Sequence, residues 1–181
     1  LFFQKLKSDA STLERTDFKL TKVDWQDNFK LFVLGDMHLA NRTNDANQFL
    51  DFCKDLNAML QSMTAQHTYA LTLGDMTWDL YWYKNNYALP EYLSTMNAQF
   101  KKLQVFHTIG NHDNNYKTMS DTDAEGNYRS LIAPTYYSFN IGKVHFVVLD
   151  NIDCDAYDGT TDRNYKKSLS AQQLAWLEKD L

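Results

Sequence analysis

Polar and apolar residues alternate over residues 17–22 (DFKLTK) and again from Phe29 to Leu34 (FKLFVL), the second run turning fully apolar just before Gly35-Asp36. A period of two turns one face of a strand toward a core, so the two runs predict a strand pair at the start of a sheet. Between Asp45 and Gln61 the rhythm changes: Phe49, Phe52, Cys53, Leu56, Met59 and Leu60 fall at the spacing of one helix face. Tyr69 to Leu73 reads as a short buried strand. Pro90 sits where a first helical turn tolerates it, and Tyr92, Leu93, Met96, Phe100 and Leu103 continue a helical stripe. Gln104 to Ile109 then predicts another strand. The order strand, helix, strand, helix, strand implies crossover units and a mainly parallel sheet, an α/β arrangement.

Further along, Tyr136 to Ile141 and Val144 to Leu149 flank Gly142-Lys143, which predicts a hairpin extending or facing that sheet. Ser170, with Gln173 three residues on, has the form of a capping box for a helix whose apolar face is Leu174, Leu177 and Leu181. Two long polar connections remain, Asn114 to Ser130 and Asn151 to Ser168, and structureless stretches longer than about 12 residues are commonly functional. No internal repeat or low-complexity tract interrupts the chain.

Composition narrows this picture only modestly. At 181 residues the chain fits one domain with room for a substantial core. Its formal charge of −5, with no block of Lys or Arg, argues against broad electrostatic binding to nucleic acid. No apolar run approaches the roughly 18 residues of a membrane span. Cys53 and Cys154 allow at most one disulfide and have no metal-ribbon spacing.

The chemistry lies in three blocks, Gly35-Asp36-Met37-His38, Gly74-Asp75 and Gly110-Asn111-His112-Asp113, each closing an apolar strand. In open α/β sheets ligands bind beyond the carboxyl ends of the strands, so one crevice could collect all three. Singly, each block is as readily a turn. Repeated at successive strand ends, with one helical crossover in each interval, they select a metal site. Asp36 and His38 can chelate one ion, Asp75 can bridge two through its two oxygens, and the side-chain carbonyl of Asn111 can bind the second. Two divalent ions about 3.5–4 Å apart would clamp an in-line displacement and acidify a bridging water, which suits attack on phosphorus.

Asp-x-His, Gly-Asp and Gly-Asn-His-Asp in this order resemble the first signature blocks of the calcineurin-like metallophosphoesterase superfamily, and the resemblance extends from about Lys30 to Leu181. It implies a β-sheet sandwich flanked by helices and hydrolysis of a phosphomonoester or phosphodiester by a dinuclear centre of Mn, Fe or Zn with a bridging hydroxide. It also implies Asp36, His38, Asp75 and Asn111 as metal ligands and His112 at the scissile phosphate. On that reading His112 gives a proton to the leaving group, and Asp113 orients its ring.

The superfamily's later ligands, a histidine at a following strand end and a Gly-His-x-His pair, have no counterpart in this sequence. His67 precedes a strand, while His107 and His145 lie inside strands, positions that favour packing. The expectation is therefore residues 1–28 as a linker and first strand and residues 29–181 as the amino-terminal portion of a catalytic domain, with a downstream segment completing the site. The residues before the first block resemble the linker of envelope phosphoesterases, which implies export. A non-catalytic envelope binding module and a nuclease remain the rival readings. For the aromatic run Trp78, Tyr81, Trp82, Tyr83 and Tyr87, packing is preferred over stacking on substrate.

Overall fold

In the computed structural model, residues 13, 15–20, 22, 24, 26–63, 67–154 and 165–181 are described. The parallel sheet forms as the patterning predicts. Strands β1 (Phe29–Leu34), β2 (His67–Thr72) and β3 (Gln104–Phe106) lie in the order β1-β2-β3, all parallel. Register aligns Leu34 with Thr72 and Leu71 with Phe106, so the carboxyl ends of the three strands come out at one edge.

Helix α1 (Asp45–Ser62) makes the first crossover and buries Phe49, Cys53 and Leu56, three of the positions in the helical stripe. Helix α2 (Leu89–Gln99) makes the second. Pro90 stands in its first turn, and Glu91 reaches back to accept a hydrogen bond from the Ala88 N–H at 2.9 Å. It ends at Gln99, so Leu103 belongs to the following turn rather than to the helix. These helices and β2 enclose a core around Ala70, Tyr92, Leu89, Met76 and Trp82.

Strand β3 stops three residues earlier than predicted, at Phe106 rather than Ile109. Its neighbour explains this: the Thr108 N–H donates to the side-chain oxygen of Thr72 at 3.1 Å, which replaces the next rung of the ladder. The hairpin is present as β4 (Tyr137–Ile141) and β5 (Val144–Val148), with Gly142 in a left-handed conformation at the turn. It faces the parallel sheet rather than extending it, with Phe139 stacked on Phe106 at a centroid distance of 3.7 Å.

Three expectations need correction. Residues 17–20 and 22 form no strand; Phe18 and Leu20 are exposed, because alternation makes a strand only where a partner supplies the ladder. The polar connection after Asn114 is not structureless, since it holds two short helices, α3 (Asp121–Ala124) and α4 (Gly126–Leu131). Among its described residues the connection Asn151 to Ser168 carries the short strands β6 (Ile152–Asp153) and β7 (Lys166–Lys167), and residues 155–164 lie outside the described residues.

The last helix, α5 (Ala171–Asp180), is capped by Ser170, whose hydroxyl accepts from the Gln173 N–H at 3.1 Å. Gln173 does not return the bond. Its side-chain amide instead grips the backbone of Asp150 on both sides, accepting from the N–H at 2.8 Å and donating to the carbonyl at 2.7 Å. Gln173 is thus the buried residue of α5, while Leu174 and Leu181 are exposed, contrary to the predicted apolar face. Both cysteines are free. Among the described residues no helix is long and apolar enough to cross a membrane.

Candidate metal centre

The pairing of β1 with β2 continues past both strands into the loops that carry the chemistry. The Leu73 N–H donates to Leu34 at 2.8 Å, the His38 N–H to the Asp75 carbonyl at 2.8 Å, and the Leu39 N–H to Met76 at 3.1 Å. Between these rungs the backbone bends sharply. Asp36, His38 and Asp75 all adopt left-handed conformations, with φ of 48°, 48° and 51°. Such φ values are uncommon for residues with a Cβ and persist only where the surroundings enforce them.

The third block enters from β3 as a single 3₁₀ turn, Asn111–Asp113. Its approach is so close that only glycine serves at two positions. A Cβ on Gly110 would strike the Asp75 backbone nitrogen and carboxylate, and a Cβ on Gly74 would lie 2.7 Å from the Gly110 Cα. These contacts make Asp75 the meeting point. One carboxylate oxygen of Asp75 accepts the His112 backbone N–H at 2.8 Å, and the other lies 3.2 Å from His38 Nε2.

Side-chain donor atoms of His38, Asp75 and His112 fall within 4.8 Å of one another. Two imidazoles and a carboxylate form a borderline donor set that suits Mn, Fe or Zn. All three are partly exposed, which leaves room for a ligand. Asp36 lies outside this group, exposed beyond the end of β1, and Asn111 is half-buried at the start of the 3₁₀ turn. Two of the expected ligands, His38 and Asp75, thus lie together, with His112 beside them.

Asp113 occupies a place different from the one its sequence position implied. Successive residues in a 3₁₀ turn project about 120° apart, and the Asp113 carboxylate points into the core rather than along the His112 ring. It is fully buried and accepts from the N–H groups of Gly110 at 3.0 Å, Thr77 at 3.0 Å and Met76 at 3.3 Å, and from the Thr77 hydroxyl at 3.2 Å. Burial pushes its carboxyl up to about 7, against the pull of those three N–H groups and with the charge of Asp75 adding to the rise. Asp113 ties the second block to the third.

The carboxylate at the His112 ring is Asp79. Its Oδ1 lies 3.0 Å from His112 Nδ1, and its side chain has no solvent exposure. Sequence reasoning passed over this residue, although a second aspartate four positions after Asp75 was the available signal. It sits at the start of the 3₁₀ turn Asp79–Tyr81, which contacts the turn carrying His112.

The remaining histidines take no part. His67 opens β2 and is exposed. His107 is buried just past β3, and burial lowers its imidazole to about 4. His145 bridges Asn140 at 2.8 Å and Asp180 at 2.9 Å, far along the chain from the three blocks.

The aromatic run divides. Trp82 is buried, and its indole N–H donates to Thr77 at 2.9 Å, the packing role preferred from sequence. Tyr87 packs against the same core. Trp78 instead stands at the cluster, its ring centroid 5.3 Å from His38 and 5.5 Å from His112, with Tyr81 edge-on at 5.3 Å.

A family model described as calcineurin-like phosphoesterase matches residues 29–180. Among curated proteins none matches the chain.

Proposed function

The chain belongs to the calcineurin-like phosphoesterase family, and from that premise we propose that it hydrolyses a phosphomonoester or phosphodiester at a two-metal centre held by Asp36, His38, Asp75 and Asn111. The family acts on phosphate esters with divalent metals. The observation that carries the reading for this chain is the convergence of His38, Asp75 and His112 donor atoms within 4.8 Å at the carboxyl edge of the parallel sheet. Oxygen and imidazole donors in that arrangement fit such ions. Bound there, divalent metals supply positive charge to the phosphoryl oxygens and lower the pKa of a coordinated water toward neutrality.

The protein's own groups do the rest. Asp75 anchors two blocks at once, so a ligand contacting its carboxylate meets His38 and the His112 backbone in fixed positions. The Asp79 carboxylate accepts a hydrogen bond from His112 Nδ1, which fixes the orientation of the ring. On this reading His112 stands beside the metals rather than among their ligands, and a proton carried on Nε2 passes to the departing alkoxide, so that the leaving group departs as an alcohol. Asp113 serves this step indirectly by holding the turn that carries His112.

Hydrolysis assays test the reading. The full chain is supplied with Mn and offered p-nitrophenyl phosphate, bis-p-nitrophenyl phosphate and single-stranded DNA. The expected outcome is cleavage of one or both nitrophenyl esters, abolished by a chelator. Absence of cleavage of all three while calorimetry registers bound metal would overturn it, and cleavage of DNA alone would make the protein a nuclease.

A further inference from the structure

A second charged feature stands beside the cluster, on the loop between β1 and α1. Arg42 lays its guanidinium over Trp78, with Cζ 4.8 Å from the ring centroid, and reaches Tyr81 at 5.7 Å. Its Nη2 donates to the His38 carbonyl at 3.1 Å. Trp78 is the same ring that both His38 and His112 touch, so one indole separates the guanidinium from the cluster.

The loop is built to hold this position. Asn41 and Asn44 on either side of Arg42 are left-handed, with φ of 50° and 73°. Asn85, after the Trp82 turn, donates to the Ala40 carbonyl at 2.8 Å, and Asp45 accepts the Ala40 N–H at 3.0 Å. Arg42 meets Asp45 only at 3.4 Å, through an oxygen that the Ala40 N–H already occupies. Among the described residues its Nη1 has no hydrogen-bond partner, and more than a third of its side chain is exposed. A second cation, Lys84, stands 5.8 Å from the Tyr81 ring. On a chain with a formal charge of −5, this fixes a positive, aromatic-backed edge beside the site.

We propose that Arg42, seated on Trp78 and Tyr81, binds a second anionic group of the substrate, a carboxylate or a phosphate a few bonds from the scissile one. The inference rests on the phosphoesterase reading above and names the substrate class: small phosphoesters with two anionic groups. With Nε at Asp45 and Nη2 on the His38 carbonyl, the guanidinium keeps Nη1 for an anion, and little side-chain freedom is left to lose when the anion arrives. The scissile phosphate belongs at the histidine and aspartate donors, so the anion that Arg42 meets is the other one.

The test compares two ligands that differ in that group alone, 3-phosphoglycerate and glycerol 3-phosphate, by calorimetry on the Mn-loaded full chain. The wild type should bind the first more tightly by at least about tenfold, or 1.4 kcal/mol. Arg42→Ala should erase most of that preference, and Arg42→Lys should restore part of it, with thermal melts checking that both variants fold. Equal weakening toward both ligands, or no preference in the wild type, would overturn the proposal. Turnover is read separately: a binding preference that depends on Arg42, with neither ester hydrolysed, supports this inference while counting against the phosphoesterase reading.

Discussion

His112 Nδ1 lies 3.0 Å from Oδ1 of Asp79, whose side chain is wholly buried. A carboxylate held there accepts from Nδ1 and fixes the orientation of the ring. Asp79→Asn keeps the shape and removes the charge, so kcat on a nitrophenyl ester should fall by about 10–100-fold, the usual cost of losing such a supporting partner. Steady-state kinetics with saturating Mn checks this. An unchanged kcat would remove Asp79 from the account.

Gly110 and Asp75 are in direct contact, with no room for a methyl group between them. Gly110→Ala should destabilise the fold by about 1–3 kcal/mol, since an inserted methyl pushes apart two well-packed backbones. Thermal denaturation measures it. The conformational cost is small at this position, where φ is −112°, so a loss of stability there is steric.

Trp82 and Trp78 should separate cleanly on truncation. Trp82→Ala empties a buried site and removes the indole donor from the Thr77 hydroxyl, which keeps its bond to Asp113, with an expected cost of about 3–5 kcal/mol. Trp78→Ala should cost less stability and instead raise KM, because that ring touches His38, His112 and Arg42. Paired melts and kinetics distinguish the two. A larger stability loss at Trp78 than at Trp82 would contradict the assignment.

Glu125 and Asp150 form a hydrogen-bonded carboxyl pair beneath α4, with Asp121 nearby and Arg129 at 3.6 Å. Burial and the Asp150 partner raise Glu125 to about 9, and burial raises Asp150 as well. The folded protein thus keeps a proton that the unfolded chain releases in the ordinary glutamate range. The contribution of this proton to stability is full below that range and is lost as pH rises through about 9. Melting temperatures recorded across neutral to alkaline pH should decline, and Glu125→Gln should flatten the decline. An equally steep decline in the variant would place the titrating group elsewhere.

Sequence carried the parallel sheet because each apolar run ends at a Gly-polar block and the crossovers have clear helical periods. It carried the positions of His38, Asp75 and His112 for the same reason. What it did not carry was direction. Whether Asp113 faces His112 or the core depends on a single 3₁₀ turn, which no period along the chain encodes. Arg42 reaches the site through a loop with left-handed Asn41 and Asn44, and Asp79 through the short turn Asp79–Tyr81. The strand expected over residues 17–22 failed for a related reason: alternation names a face but supplies no partner. The orientation of α5 was lost to Gln173, a polar residue buried because it satisfies both backbone groups of Asp150.

The central claim is that the strand ends hold divalent metal through His38 and Asp75. Calorimetric titration of Mn into the wild-type chain and into a His38→Ala, Asp75→Asn double variant, both verified as folded, tests it most directly. The account predicts saturable binding by the wild type and its loss in the variant. Equal Mn affinity and stoichiometry in the two proteins would contradict it.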